Sequence, residues 1–240
     1  MKLLIILPAY NEEANIVRVI ESLKEVCPQY DYLIVNDGSK DATAAICRAA
    51  GYPLLDLPTN LGLAGAFQAG MKYADRYDYD AAVQFDADGQ HRPEYLSAML
   101  QTLAQGNDIV IGSRFVGRKK PFTMRMLGST LISAAIRLTT GKVLRDPTSG
   151  MRMYNRRMIC EFSTQVNHAP EPDTISYLMK RGAKVAEVAV EMDERIAGES
   201  YLNWMKSITY MLQMELSILV VQWFRGSGHF SAQEEKCHVY

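Results

Sequence analysis

Four cysteines in 240 residues (Cys27, Cys47, Cys160 and Cys237) form no CxxC pair and no other metal-type spacing, so a cysteine-built metal centre is excluded. No signal peptide is read ahead of the first strand-like run, and a reducing, cytosolic setting is expected. Long apolar runs are also missing. The best window, Ser207 to Phe224, is interrupted by Gln213, Glu215 and Gln222, so no membrane-spanning helix is expected. Charge of either sign is nearly balanced, at a formal −1, which gives no global electrostatic case for nucleic acid. An anionic ligand must therefore be bound locally. Neither GxGxxG nor a Walker A sequence occurs, which argues against the common dinucleotide and NTPase sites; a nucleotide would have to be held differently. There is no internal repeat and no low-complexity segment. What remains is an ordinary globular composition, 48% hydrophobic and 22% charged, at a length suited to one large α/β domain with an appendage.

Lys2 to Pro8 is a short, nearly continuous apolar run, the pattern of a strand covered on both faces in a parallel sheet. Asn11 is a candidate cap for the helix that follows, in which Ile16, Val19, Ile20 and Leu23 recur at helical spacing before Pro28. Tyr32 to Val35 repeats the strand pattern, Asp37-Gly-Ser39 turns into a helix closed by Gly51, and Pro53 to Leu57 reads as a third strand. The alternation continues with a helix near 64–77, a strand at 81–85, a helix opened by Pro93 and a strand at 108–112. The first half is thus a wound α/β sheet. After Arg114 come a basic loop (Arg118, Lys119, Lys120), a helix near 124–140 and a turn at Asp146-Pro-Thr-Ser-Gly150. A short strand, a helix near 173–181 and a strand at 184–190 complete the core.

In open α/β sheets ligands lie beyond the carboxyl ends of the strands. The segments there are Pro8 to Glu13, Asn36 to Ser39, Asn60 to Gly65 and Asp86 to Gln90, and all four are polar. Asp37 ends the second strand, where an acid can accept hydrogen bonds from a ribose or a base edge; equally, it can shape the Asp-Gly turn. Asp86 and Asp88, two apart at a strand end, can face one hard cation such as Mg²⁺ or Mn²⁺. Such a cation would turn the repulsion between carboxylates and a diphosphate into attraction and stabilise charge on a departing nucleoside diphosphate. An Asp-rich turn with Asp88-Gly89 at its tip is the alternative.

Taken together, Pro8-Ala-Tyr-Asn-Glu12, Val35-Asn-Asp-Gly-Ser39, Asn60-x-Gly62, Asp86-Ala-Asp-Gly-Gln-His-x-Pro93 and Gly112-Ser-Arg114 resemble the inverting family 2 glycosyltransferases. Asp146-Pro-Thr-Ser-Gly-Met-Arg152 and Arg195-x-x-Gly-x-Ser200 resemble, more narrowly, the dolichyl-phosphate mannosyltransferase and bacterial polyprenyl-phosphate glycosyltransferase branch. The resemblance covers about residues 3 to 200. It implies a GT-A fold, a Rossmann-like, mostly parallel sheet with flanking helices, followed here by a C-terminal apolar helix. It implies that Pro8, Tyr10, Glu12 and Asp37 surround the nucleoside of a UDP- or GDP-sugar, with Asn60 and Asp86 also on the donor side. Asp86, Asp88 and Gln90 would ligate Mg²⁺ or Mn²⁺, with Asp88 close to the chemistry. Arg114, Arg125, Arg195 and Ser200 would contact phosphates of donor or acceptor, a task that suits the guanidinium fork. Arg125 taken alone also reads as a solvated surface charge. One departure is Tyr201, where the family often has lysine.

The acceptor decides whether a base is needed. A phosphate monoester, with a second pKa of about 6, is already anionic near neutrality, whereas a hydroxyl needs a carboxylate within reach of its proton. Asp146 and the helix-start pair Glu171 and Asp173 are the candidates, and the latter two can instead serve the helix end. The last helix, about 201–224, carries Trp204, Ile208, Met211, Leu212, Ile218, Leu219 and Trp223, with Lys206, Thr209, Gln213 and Ser217 as a polar stripe. It can lie in a membrane interface and bring a lipid acceptor to the site, or pack on its own core or in a homo-oligomer. The expected organisation is a catalytic domain over 1–200, with a nucleotide half at 1–115 and an acceptor half at 116–200, then the helix at 201–224 and a polar tail at 225–240. The expected activity is metal-dependent transfer of a sugar to a polyprenyl phosphate (undecaprenyl or dolichyl), by a cytoplasmic protein peripheral to the inner face of the membrane and possessing a small membrane-protein partner. Transfer to a saccharide hydroxyl is the alternative, and a catalytically silent nucleotide-sugar-binding subunit is the rival from another class.

Overall fold

The computed structural model describes residues 1–118, 120, 123–165, 169–193 and 204–221. In chain order the elements are β1 (Leu3–Ala9), α1 (Ile16–Val26), β2 (Asp31–Asn36), α2 (Thr43–Ala49), β3 (Leu54–Asp56), α3 (Gly62–Arg76) and β4 (Ala81–Gln84). A 3-10 turn, Pro93–Tyr95, opens α4 (Leu96–Ala104), and β5 (Ile109–Ser113), α5 (Met124–Thr140), β6 (Arg152–Asn155) and α6 (Arg156–Thr164) follow. The remaining elements are α7 (Pro172–Lys180), β7 (Val185–Ala189) and α8 (Trp204–Leu216), which runs into a π-helical turn, Ser217–Val221.

The strands form one sheet in the order β3-β2-β1-β4-β6-β5-β7. The interior strand β1, beside the central β4, has residues Leu3 to Leu7 buried without a break because helices cover both faces. Alternation divides the core. Leu4 and Ile6 point into a layer with Phe67 and Met71 of α3, Ile132 and Ile136 of α5, Phe162 of α6 and Ile175 of α7. Leu3, Ile5 and Leu7 point into another with Ile16, Ile20 and Leu23 of α1 and Leu96 and Met99 of α4.

Four of the six strand pairings are parallel, and β6 is antiparallel to both β4 and β5. The expected mostly parallel sheet therefore holds, with one reversed strand wedged into it and a helix, α6, absent from the sequence reading although Met158, Ile159 and Phe162 stand at helical spacing after an Asn155 cap. Asn11 does not cap α1. It adopts a left-handed backbone (φ 57°), and its Oδ1 accepts the Lys40 backbone N–H at 2.8 Å, tying the β1 loop to the β2 loop. The helix begins only at Ile16, after Asn15, whose side-chain amide donates to Glu12 Oε2 at 2.8 Å. The α8 segment is the described part of the apolar helix expected over 201–224; residues 201–203 and 222–224 lie outside the described residues, as do Lys119, Cys237 and the tail. Helix α8 packs closely on α5: the Met211 sulfur sits 1.5 Å from where a Cβ on Gly128 would lie, so any side chain there would force Met211 to move.

Phe67 centres an aromatic cluster in the first of these layers. Fully buried, it meets the Tyr154 ring at 5.4 Å and the Phe162 ring edge-on at 5.2 Å. Phe67→Ala is expected to lower stability by about 3–5 kcal/mol, the range for deleting a buried aromatic. Urea unfolding followed by circular dichroism checks this, and a loss below about 1 kcal/mol would show that the layer closes over the gap.

Candidate active site

The loops at the carboxyl ends of β1, β2 and β3 are bound to one another, chiefly through side chains that reach across to backbone groups. The Asp37 backbone N–H donates to Ala9 O at 2.9 Å, and its carboxylate Oδ1 accepts the Leu61 N–H at 2.7 Å, so this buried acid ties the ends of β1 and β2 to the start of α3. The Glu12 N–H donates to Thr43 Oγ1 at 2.9 Å. Asn60, exposed, accepts the Gly62 N–H at 3.1 Å, an Asx turn that leads into α3. Pro8, Tyr10 and Glu12 are half-buried along the same edge. The structure thus gathers Pro8, Tyr10, Glu12 and Asp37, expected around a nucleoside, and Asn60, expected on the donor side, at one rim.

Beside that rim lies a cavity of about 340 Å³, whose wall includes Asp86, Gln90, Arg114, Thr148, Glu171 and Tyr210. Asp86 is 35% exposed at its side chain. Its Oδ1 accepts the Gln84 side-chain amide at 3.1 Å, and its backbone N–H donates to His91 Nδ1 at 2.9 Å. Gly150 keeps the space beside it: a Cβ there would stand 2.7 Å from Asp86 Oδ2. Asp88 is buried, and its Oδ1 accepts the Gln90 N–H at 3.0 Å, which closes the turn. The Gln90 side-chain amide donates to Asp193 O at 3.3 Å. Among the described residues no three acidic, histidine or cysteine side chains gather around a point. Two carboxylates and an amide at a strand end are nevertheless hard oxygen donors that fit Mg²⁺ or Mn²⁺, which keep part of their coordination for water and substrate phosphates.

Asp146 is fully buried and committed to Arg114. Its Oδ2 accepts Nε at 2.8 Å, its Oδ1 accepts Nη2 at 2.8 Å, and Oδ2 also accepts the Arg114 backbone N–H at 3.1 Å. Glu187 accepts the Asp146 and Arg145 N–H groups at 2.8 and 2.9 Å and anchors the loop from below. The guanidinium is thereby presented to the cavity by a carboxylate that has no open side. Arg114 Nη2 reaches Thr148 Oγ1 at 3.5 Å, Thr148 Oγ1 reaches Ser129 Oγ at 3.4 Å, and Lys120 Nζ donates to Ser129 Oγ at 3.0 Å. Burial pushes the Lys120 ammonium below its ordinary pKa, against the pull of Asp146 and Glu187. Lys120 was visible in the sequence only as one charge of a basic loop. The Arg125 side chain, Arg195 and Ser200 lie outside the described residues.

Of the helix-start pair, Glu171 lines the cavity. Asp173, two residues on, is buried against Ser217, whose hydroxyl donates to Oδ2 at 2.7 Å. Glu171 accepts a hydrogen bond from the Tyr210 hydroxyl of α8. Arg152, 2% exposed, forms the floor. It donates to Ser149 O at 2.8 Å, to Pro147 O at 2.7 Å and to Pro170 O, joining the Asp146 loop to the Glu171 loop. Arg152 and His91 were quoted within motifs without a role, and nothing in the local sequence marks Tyr210 as a wall residue.

Burial raises the Glu171 carboxyl above its ordinary 4.5, while Tyr210 and Arg152 pull it down and Asp173 pushes it up. Between 4.5 and the raised value the folded protein holds a proton that the unfolded chain has lost, so this group makes stability fall as pH rises through that window. Glu171→Gln removes that dependence. The variant is expected to match the unsubstituted protein near pH 4.5 and to exceed its thermal midpoint at about pH 8. Midpoints measured across this range check it, and parallel curves would acquit Glu171.

Comparison with known proteins agrees with this architecture. Residues 4–162 match the family model described as Glycosyl transferase family 2. The chain is 31% identical over 214 residues to polyprenol monophosphomannose synthase of Mycolicibacterium smegmatis, covering 83% of this chain and 80% of that one. It is 33% identical over 215 residues to undecaprenyl-phosphate mannosyltransferase of Micrococcus luteus, covering 85% and 88%. Among solved structures, glucosyl-3-phosphoglycerate synthase of Mycobacterium tuberculosis, crystallised with Mn²⁺, UDP-glucose and phosphoglyceric acid, superposes with a TM-score of 0.67 at 19% identity, over 96% of this chain and 81% of that one. That likeness establishes the fold, which is of the GT-A kind. With strand ends, cavity and family model in agreement, the chain belongs to glycosyl transferase family 2 and is a glycosyltransferase.

Proposed function

We propose that this glycosyltransferase moves a sugar from a UDP- or GDP-sugar to a polyprenyl phosphate, with inversion at the anomeric carbon. The observation that carries the reading is the single cavity in which Asp86, open to a cation, shares the wall with Arg114, Thr148 and Ser129, backed by Lys120. One part suits a donor diphosphate and the other an anionic acceptor. The names of the two relatives, a polyprenol monophosphomannose synthase and an undecaprenyl-phosphate mannosyltransferase, support the same acceptor class.

In this mechanism Pro8, Tyr10, Glu12, Asp37 and Asn60 hold the nucleoside, and Asp86, Asp88 and Gln90 hold the divalent cation. When bound, the cation neutralises charge on the departing diphosphate. Arg114, locked by Asp146, binds and orients the acceptor phosphate by its guanidinium edge, with Arg125, Arg195 and Ser200 as further phosphate contacts. A phosphate oxygen forms the new bond to the anomeric carbon as the bond to the diphosphate oxygen breaks, and the nucleoside diphosphate leaves with that electron pair. The nucleophile arrives deprotonated, so Asp146 serves as the keeper of Arg114 rather than as a base, and Asp173 as a support of α7. The exposed leucines Leu127, Leu131 and Leu138 of α5 and Leu212 and Leu216 of α8 offer an apolar face to a membrane surface that presents the lipid. No helix among the described residues is long and apolar enough to cross a membrane.

Glu171 favours a second reading. A carboxyl in the cavity wall with a raised pKa is what transfer to a saccharide hydroxyl would need as a base. Incubation with labelled UDP- and GDP-sugars, membranes and Mn²⁺, followed by organic extraction, separates the two. Label in the organic phase that survives Glu171→Gln supports the phosphate acceptor, and label confined to water-soluble saccharide and lost in that variant supports the hydroxyl. Asp86→Asn and Asp88→Asn are each expected to cut transfer at least a hundredfold, about 2.7 kcal/mol of barrier, with an unchanged circular dichroism spectrum. Undiminished transfer in both, or in the presence of a chelator, would overturn the cation site.

A further inference from the structure

The Asp86 carboxylate has a polar side chain on each of two sides, one bonded to the carboxylate and the other to the backbone of the same residue. His91, 3% exposed at its side chain, accepts the Asp86 backbone N–H at Nδ1, which leaves the ring proton on Nε2, 3.6 Å from Asp86 Oδ2. The ring is fixed edge-on against Phe85 with centroids 5.3 Å apart. On the other side the Gln84 amide nitrogen donates to Asp86 Oδ1 at 3.1 Å. Turning that amide toward Asp86 leaves Gln84 Oε1 buried without a hydrogen-bond partner. A buried acceptor with no donor is costly, so the site keeps an unfavourable arrangement at Gln84 to hold the carboxylate. Gly150 leaves the third side open.

We infer that His91 and Gln84 are positioning residues for the donor's cation: they fix the rotamer of Asp86 so that Oδ2 faces the cavity before any ligand arrives. The inference rests on the reading of Asp86 as a cation ligand. Outer partners of this kind typically alter metal affinity by about 10–100-fold. His91 anchors the Asp86 backbone and walls the carboxylate with its ring, whereas Gln84 restrains one oxygen, so His91→Ala is the more damaging change. His91→Asn, which keeps an acceptor for the Asp86 N–H, recovers part of the loss.

Mn²⁺ binding to the full chain, titrated by electron paramagnetic resonance with UDP and in parallel with GDP, tests this alongside thermal midpoints. His91→Ala is expected to weaken Mn²⁺ binding at least tenfold and to shift the Mn²⁺ dependence of transfer to higher concentration, with kcat at saturating Mn²⁺ largely retained. Gln84→Met is expected to weaken Mn²⁺ binding while its thermal midpoint in the absence of metal stays level or rises, because the orphaned acceptor is gone; a merely structural glutamine would not give that pair of results. Should His91→Ala fail to fold, Gln84→Met and His91→Asn decide the matter. Native Mn²⁺ affinity in both, with affinity lost in Asp86→Asn, overturns the positioning role alone. Native affinity in Asp86→Asn overturns the cation reading itself.

Discussion

A guanidinium withdrawn from water must satisfy its donors among whatever oxygens the fold supplies, and in this protein Arg152 does so with three backbone carbonyls, of Pro147, Ser149 and Pro170. Two loops distant in sequence are thereby held to one point beneath the cavity. Desolvating such a cation is expensive, and the cost is tolerable only while both loops keep their shape. The Asp146 loop sets Arg114, and the Glu171 loop sets the wall that Tyr210 meets. Both flanks of the site thus depend on a residue exposed by only 2%.

The charges in the cavity are arranged by different means. Arg114 is fixed by a buried bidentate carboxylate, which removes most of its rotamer freedom before an anion arrives. Asp86 instead keeps an open side. The protein thus uses an acid with no access to solvent to orient a guanidinium, and leaves half-exposed the acid proposed to meet a cation. The same residue type takes opposite roles according to whether its oxygens are already occupied.

Much of this was legible in the chain. The strands β1, β2, β4 and β5 follow from apolar runs because burial on both faces leaves no polar alternation, and α5 lies where a helix near 124–140 is expected. The reversed direction of β6 was not legible, since strand orientation depends on partners far away in sequence and four residues carry no sign of it. Asn11 was misread as a cap because its side chain serves a neighbouring loop rather than its own helix. At the site, Asp86, Asp88 and Arg114 stood out through strand-end position and motif. Glu171 and Asp173 could not be separated, because only the fold determines that one faces the cavity and the other Ser217. Tyr210 was hidden because its role arises from the docking of α8.

That docking bears on the order in which the protein becomes an enzyme. The cavity takes Leu63 from α3, Asp86 from the end of β4, Arg114 from the end of β5 and Tyr210 and Met211 from α8. A ribosome that has released the first five strands has already delivered both aspartates, yet the wall formed by Tyr210 is still unsynthesised. The β1 and β2 rim is therefore complete in sequence well before the cavity is, and closure of the cavity waits for one of the last described helices to seat its methionine over Gly128.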